Sequence, residues 1–352
     1  MRRSNYFSRI MMILLFAGLI LSCGKRITYS SQEMIADQKY DLAFPFGGNS
    51  EDLHDLLESV RLINSSAFYE SYVFPESEGI QRRDVKKSLF KADRHSEKSV
   101  YNDFAVGTAT FIYFDANLVA VLTCAHVVDF PDTIITFYET AHNTSNIVRR
   151  VSIKKNHRNS IVDMREGEEF EILAIDHDLD AALLGKRLNF VAEENFPVFK
   201  YPLGAAKDLD WGNLIYLVGY PSGKKMLTTG MVSSPDRTPN HGFLIDALFN
   251  RGFSGGIALA VRDGIPNFEL VGMVNAVAAD HELVLTPGEF PNTADINMNA
   301  PYEGEIFVLS QKKINYGISF GISIEAITDF IRRNRMNLKS RGYEISNFFN
   351  GF

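Results

Sequence analysis

Between Gly107 and Ala276 the chain is a run of short apolar stretches broken by turn residues, with no helical periodicity between them. Gly107–Phe114 and Leu118–Thr123, parted by Asp115-Ala116-Asn117, read as a hairpin. Thr133–Tyr138, Ile147–Ile153, Phe170–Ile175 and Ala181–Leu184 continue a first group of strands. Leu214–Gly219, Met226–Ser233, Gly242–Phe249, Ile257–Arg262 and Phe268–Ala276 make a second. Parallel strands need long crossovers, for which there is no room, so the pattern predicts an all-β chain of antiparallel barrels or sandwiches. Outside this block, Leu53, Leu56, Leu57 and Val60 predict a helix over 50–63, Ala67–Phe74 reads as a strand, and 81–99 as a solvated connection. Ser323 caps a predicted helix over 324–335, whose Ile324, Ile327, Phe330 and Ile331 form one apolar stripe.

Chemistry concentrates at Gly252-Phe253-Ser254-Gly255-Gly256, between two predicted strands. Glycines permit backbone angles a side chain forbids, so this turn can present Ser254 Oγ outward and aim successive N–H groups into one concavity. It is either a plain hairpin bend or an oxyanion hole with its nucleophile in place. His126 stands at the end of the apolar strand Leu122–Val128, and Asp180 where the acid-rich 176–180 meets the apolar 181–184. A carboxylate abutting buried strand is costly unless hydrogen-bonded, and an imidazole N–H is the partner a nucleophilic site supplies. Cys124, two residues before His126, also fits a thiol–imidazole pair, although a cysteine in an apolar strand is more often a small core residue. Asp176, His177 and Asp178 lack a third spaced metal ligand and read as a solvated loop.

His126, Asp180 and Ser254 occur in the chain order of chymotrypsin-type enzymes. The collinear strings at 107–111, 122–128, 180–184, 218–223, 229–233, 246–256 and 271–274 resemble trypsin-like serine proteases, the Deg/HtrA branch above all. That resemblance implies two six-stranded antiparallel barrels, about 100–200 and 205–322, with the cleft between them and a C-terminal helix completing a domain over 100–336. It implies that His126 is the base, Asp180 orients it, Ser254 is the nucleophile, and the N–H groups of Ser254 and Gly252 receive the oxyanion. A polypeptide is then the substrate, and neither metal nor cofactor is needed. Leu248, Phe249, Asn275, Ala276 and Val277 stand where the primary pocket is expected, which predicts a small or medium apolar side chain there. Phe253 replaces the aspartate with which zymogen-activated digestive proteases pair a newly cut amino terminus, and asparagine is usual there in the Deg/HtrA branch. Ile257 replaces a common proline, so the resting shape of the oxyanion turn is a question for the structure. An impaired enzyme serving as a binding protein is the other reading.

Arg2, Arg3 and Arg9 followed by the apolar 10–21 form an export signal over 1–22. Ile20-Leu21-Ser22-Cys23 resembles the lipobox of bacterial lipoproteins, which implies lipidation at Cys23 and anchoring in the cell envelope, at the outer membrane or the periplasmic face. An ordinary secretory signal and a short uncleaved anchor are the alternatives. Residues 23–99 then form a lipid-anchored tether and extension, and 337–352 a tail. The cysteines are two, Cys23 and Cys124, so a lipidated Cys23 leaves no intramolecular disulfide. A net charge of −7 and the absence of a basic stripe after residue 26 argue against nucleic acid as partner. Oligomeric state has no signature in the sequence.

Overall fold

The computed structural model describes residues 37–42, 54, 56–92, 98–140, 143–164, 169–188, 196–235, 242–247, 250–287, 306–345 and 347–350. The expected signal, Cys23, and the pocket residues Leu248 and Phe249 lie outside them. Thirteen strands build two antiparallel sheets. The first has the order β4-β5-β1-β2-β3-β7-β6, from β1 (Val60–Val73), β2 (Lys98–Asp115), β3 (Leu118–Thr123), β4 (Thr133–Thr140), β5 (Asn143–Ile161), β6 (Glu171–Asp176) and β7 (Ala181–Arg187). The second closes into a barrel, β10-β13-β12-β11-β8-β9. Its strands are β8 (Leu214–Gly219), β9 (Met226–Ser234), β10 (Phe243–Ile245), β11 (Ile257–Val261), β12 (Phe268–Pro287) and β13 (Ile306–Ser323). The all-β, two-sheet expectation holds, with a refinement. The second sheet is the six-stranded barrel, whereas the first is a half-barrel of seven strands with β4 and β6 at its edges.

The extra strand is β1. Its inward positions alternate as Ile63, Ser65, Ala67, Tyr69 and Ser71, all buried. Small polar residues at those positions hide the period of two, and Ser71 Oγ is satisfied by Ser152 Oγ at 2.7 Å. Local helix spacing around Leu56 therefore predicts too long a helix. Helical residues stop by Leu57–Glu58 and the strand starts at Val60, because thirteen register pairs with β2 outweigh a single amphipathic turn. The expected domain start at 100 falls inside β2, and β1 belongs to the same sheet. Within 81–99, helix α1 spans Val85–Ala92.

β8 and β11 are buried on both faces, which is why they read as unbroken apolar runs. Tyr216, Val218, Ile257 and Leu259 join the core that packs the first sheet, and Ile215, Leu217, Ala258 and Ala260 the interior of the second barrel. A one-turn helix α2 (Ala125–Val128) follows β3, and α3 (Ile324–Arg333) follows β13 with Ser323 Oγ accepting from Ala326 N at 3.2 Å. Beyond α3 the chain is packed rather than loose. α4 (Arg335–Ser340) and α5 (Asn347–Asn350) flank Tyr343 and Ile345, and Leu338, Tyr343, Ile345 and Phe348 join the first core. The long segment after Ala279 continues β12, paired with β13 as far as Pro287↔Ile306.

Candidate active site

α2 is a single turn whose Ala125, Val127 and Val128 are buried, so His126 is its one exposed residue. The helix is seated by Val127, whose methyls would lie 2.7 Å from a Cβ at Gly107. His126 is thus presented by a turn at the mouth of β3 rather than by the strand itself. Asp180 ends the 176–180 turn with φ +59°, a left-handed conformation that aspartate tolerates better than most side chains. Its Oδ2 lies 2.7 Å from His126 Nδ1, its Oδ1 accepts from His126 N at 2.9 Å, and its carbonyl accepts from Ala125 N at 3.2 Å. An ionised carboxylate only accepts, so Nδ1 carries a proton, and in the neutral imidazole Nε2 is then the nitrogen with the free lone pair. The other acids of the turn are engaged elsewhere. Asp176 accepts from Leu179 N at 3.0 Å and pairs with Arg333 at 2.9 Å, while His177 faces Asp129 at 3.7 Å.

Cys124 is not built as a nucleophile. It is fully buried, its thiol donates to Val274 O at 3.5 Å, and burial, with the Asp180 charge adding to it, pushes the thiol well above its ordinary range. Its Sγ lies within 4.8 Å of donor atoms of His126 and Asp180, but metal ligation needs the thiolate that this environment disfavours.

The serine turn belongs to the second barrel and is tied to both sheets. Thr108 N donates to Ser254 O at 2.8 Å, and Thr108 Oγ1 donates to Gly252 O at 2.6 Å while accepting from Tyr220 N at 2.9 Å. Gly255 has φ +88°, and a Cβ there would meet Thr108 O at 2.1 Å and Cys124 N at 3.2 Å, so glycine is required where the turn touches the first sheet. Phe253, 1% exposed, is the anchor. Its ring fills the second core beside Gly219, which has no room for a Cβ.

Within the turn the N–H groups divide. Phe253 N donates to Asn250 O, Gly255 N to Val274 O and Gly256 N to Phe253 O, at 3.2, 2.8 and 2.7 Å. The N–H groups of Gly252 and Ser254 meet no acceptor among the described residues. Ser222 N donates to the Arg251 carbonyl at 2.8 Å, and in a trans peptide the Gly252 N–H points the opposite way. Two unspent donors, two residues apart, thus remain in a turn that otherwise satisfies its own groups. Ser254 itself is 9% exposed, and no hydrogen bond joins its hydroxyl to His126.

Residues 107–273 match the trypsin-like peptidase domain model. His126, Asp180, Gly252 and Ser254 all fall inside that trypsin-like span. The chain is also similar to the serine endoprotease from Yersinia pestis, at 16% identity and a TM-score of 0.38, covering 81% of this chain and 65% of that one. No curated protein matches. Of the expected pocket residues, Asn275 is the extra residue of a bulge between Val274 and Ala276, with its Oδ1 buried and unpartnered among the described residues. Ala276 and Val277 lie in β12, opposite Phe320 and Ser319. Sequence reasoning did not single out Thr108 and Ser222, which hold the turn in shape. Both lie in the strings that carry the resemblance, and the alternation of threonines with Ala109 and Phe111 in Gly107–Phe111 is the signal that was available.

Proposed function

We propose that the chain is a serine endopeptidase of the bacterial envelope, hydrolysing polypeptides through His126, Asp180 and Ser254. The observation that carries this reading is the pair of unspent N–H groups at Gly252 and Ser254, and it is supported by an imidazole whose Nδ1 is already committed to a carboxylate. His126 Nε2 takes the Ser254 proton as Oγ bonds to the peptide carbonyl carbon, and the carbonyl oxygen becomes an anion received by the two N–H groups. Collapse breaks the C–N bond, the imidazolium returns its proton to the leaving amine, and water then hydrolyses the acyl-enzyme by the same steps. The Oγ–Nε2 bond forms when substrate arrives, as resting catalytic hydrogen bonds are often long. The His126 side chain, 49% exposed, has room for that adjustment. An apolar residue precedes the cleaved bond, and lipidation at Cys23 holds the enzyme at the membrane.

A fluorophosphonate probe tests the core of this reading without a known substrate. The expected result is covalent labelling at Ser254, lost in Ser254→Ala while the melting temperature is kept. An unlabelled, folded protein would overturn it in favour of a binding protein on a protease scaffold. Radiolabelled palmitate incorporation, abolished by Cys23→Ala, checks the anchor.

A further inference from the structure

The strand that leads into the Asp180 turn is weakly held by its own sheet. β6 is an edge strand paired with β7 alone, and an extra residue, Leu173, interrupts that pairing between Ile172 and Ala174. The last pair is Asp176↔Ala181, so residues 177–180 form the hairpin loop, with Asp176 Oδ1 accepting from Leu179 N at 3.0 Å and Asp180 at φ +59°. A left-handed aspartate persists only where its surroundings over-determine it, and a short, bulged edge strand does not do so alone. The carboxyl-terminal segment supplies a second hold. Arg333, Asn337 and Arg341 stand four apart, the spacing of side chains on one helix face, at the end of α3, within α4 and just after it. They reach β6 at successive points along its length. Arg341 Nη2 pairs with Glu171 at 2.6 Å and its Nη1 donates to Ile172 O at 3.3 Å. Asn337 Nδ2 donates to the carbonyl of the bulged Leu173 at 3.0 Å, and Arg333 Nη2 pairs with Asp176 at 2.9 Å. Leu338 and Tyr343, buried in the first core, seat the segment that carries these side chains.

We infer, resting on the peptidase reading, that Arg333, Asn337 and Arg341 are positioning residues of the enzyme, a clamp through which the carboxyl-terminal helices fix the angle at which Asp180 meets His126. Asp176 is the junction. One of its oxygens is spent on Arg333 and the other on Leu179 N, so a displacement of the helix passes through a single carboxylate into the loop, one residue short of Asp180. At the far end, Asp180 bonds His126 twice, Oδ2 to Nδ1 at 2.7 Å and Oδ1 to the His126 N–H at 2.9 Å. Both bonds share one side chain, so a swing of the loop lengthens them together and lets the imidazole turn away from Ser254. The Arg333 side chain is 64% exposed, and an ion pair so exposed adds little to stability. What it fixes is geometry, to which catalysis is far more sensitive than folding is. Arg332, the preceding residue, turns instead to Asp329 of its own helix at 3.0 Å, so charge on α3 can be removed without touching the clamp.

Fluorophosphonate labelling at Ser254, followed as a saturating rate and a half-saturating concentration, provides the test without a known substrate. Arg333→Gln/Asn337→Ala/Arg341→Gln is expected to slow the saturating rate about tenfold while the half-saturating concentration stays within about twofold. Arg333→Gln alone removes one exposed pair and keeps the fold, and is expected to slow the rate about threefold, with Arg333→Lys restoring most of the loss. Arg332→Gln is expected to leave the rate unchanged. An unchanged saturating rate in folded Arg333→Gln, or an equal loss in Arg332→Gln, overturns the inference. So does a loss confined to the labelled fraction and the melting temperature, which marks a structural role alone. The proton on His126 Nδ1 gives a reading independent of turnover, because its downfield NMR signal is set by the bond to Asp180. That signal is expected to move in Arg333→Gln and to stay in place in Arg332→Gln. A parent protein that never labels removes the enzyme, and the signal then decides the clamp. Labelling with a signal and a rate indifferent to Arg333→Gln keeps the enzyme and removes the clamp.

Discussion

The two halves of the site are made of opposite materials. His126 and Asp180 are surface side chains, 49% and 22% exposed, joined to one another by two hydrogen bonds across a single sheet. The serine turn is main chain and core, wedged by buried Phe253 and fastened by Thr108 and Val274 to strands of both sheets. One half can lose its chemistry and keep the fold. In the other, the residues that shape the donors also hold the sheets together.

Asp180→Asn strikes the first half and carries the largest expected effect. It leaves an amide unable to hold the imidazolium or its tautomer, so kcat/KM falls by about 10⁴ while the melting temperature moves by only a few degrees. A large fall in melting temperature would break the contrast. Gly255→Ala strikes the second half, placing a Cβ 2.1 Å from Thr108 O at φ +88°. The expected loss is about 3 kcal/mol or more by denaturant midpoint. Gly79→Ala has a similar φ of +58° with open space around it, and serves as the control at about 1 kcal/mol. Thr108→Val sharpens the comparison, because it strips the Gly252 carbonyl and the Tyr220 N–H of one shared partner. Stability is expected to fall by about 2 kcal/mol, and fluorophosphonate labelling of the folded fraction to slow by about tenfold. The smallest effect is expected at Cys124. With the thiol fully buried and bonded to Val274 O, iodoacetamide should neither modify Cys124 in the native protein nor change labelling at Ser254.

Legibility followed the range of the interactions. Apolar runs with sharp turns announced β3, β7, β8 and β11, since strands buried on one or both faces must be apolar on them. β1 was half hidden because two of its inward positions, Ser65 and Ser71, are serines, and a distant partner, Ser152, satisfies one of them. The carboxyl-terminal residues read as a tail, yet Tyr343 and Phe348 are buried against the first sheet, a contact with no local periodicity to reveal it. β12 runs on past its apolar stretch, paired with β13 as far as Pro287 with Ile306, and that pairing has no signature in the local sequence.

By itself the sequence determined the class of fold and the order of the three candidate side chains, and it marked the glycine-flanked turn at Ser254, because each depends on near neighbours in the chain. Tertiary structure decided the rest. It set the seventh strand, the commitment of Asp180 to His126, and the two N–H groups left unspent once Thr108, Ser222 and Val274 had engaged the groups around them. A donor's freedom is the result of where every other acceptor in the folded molecule has gone, and no local stretch of chain contains that information.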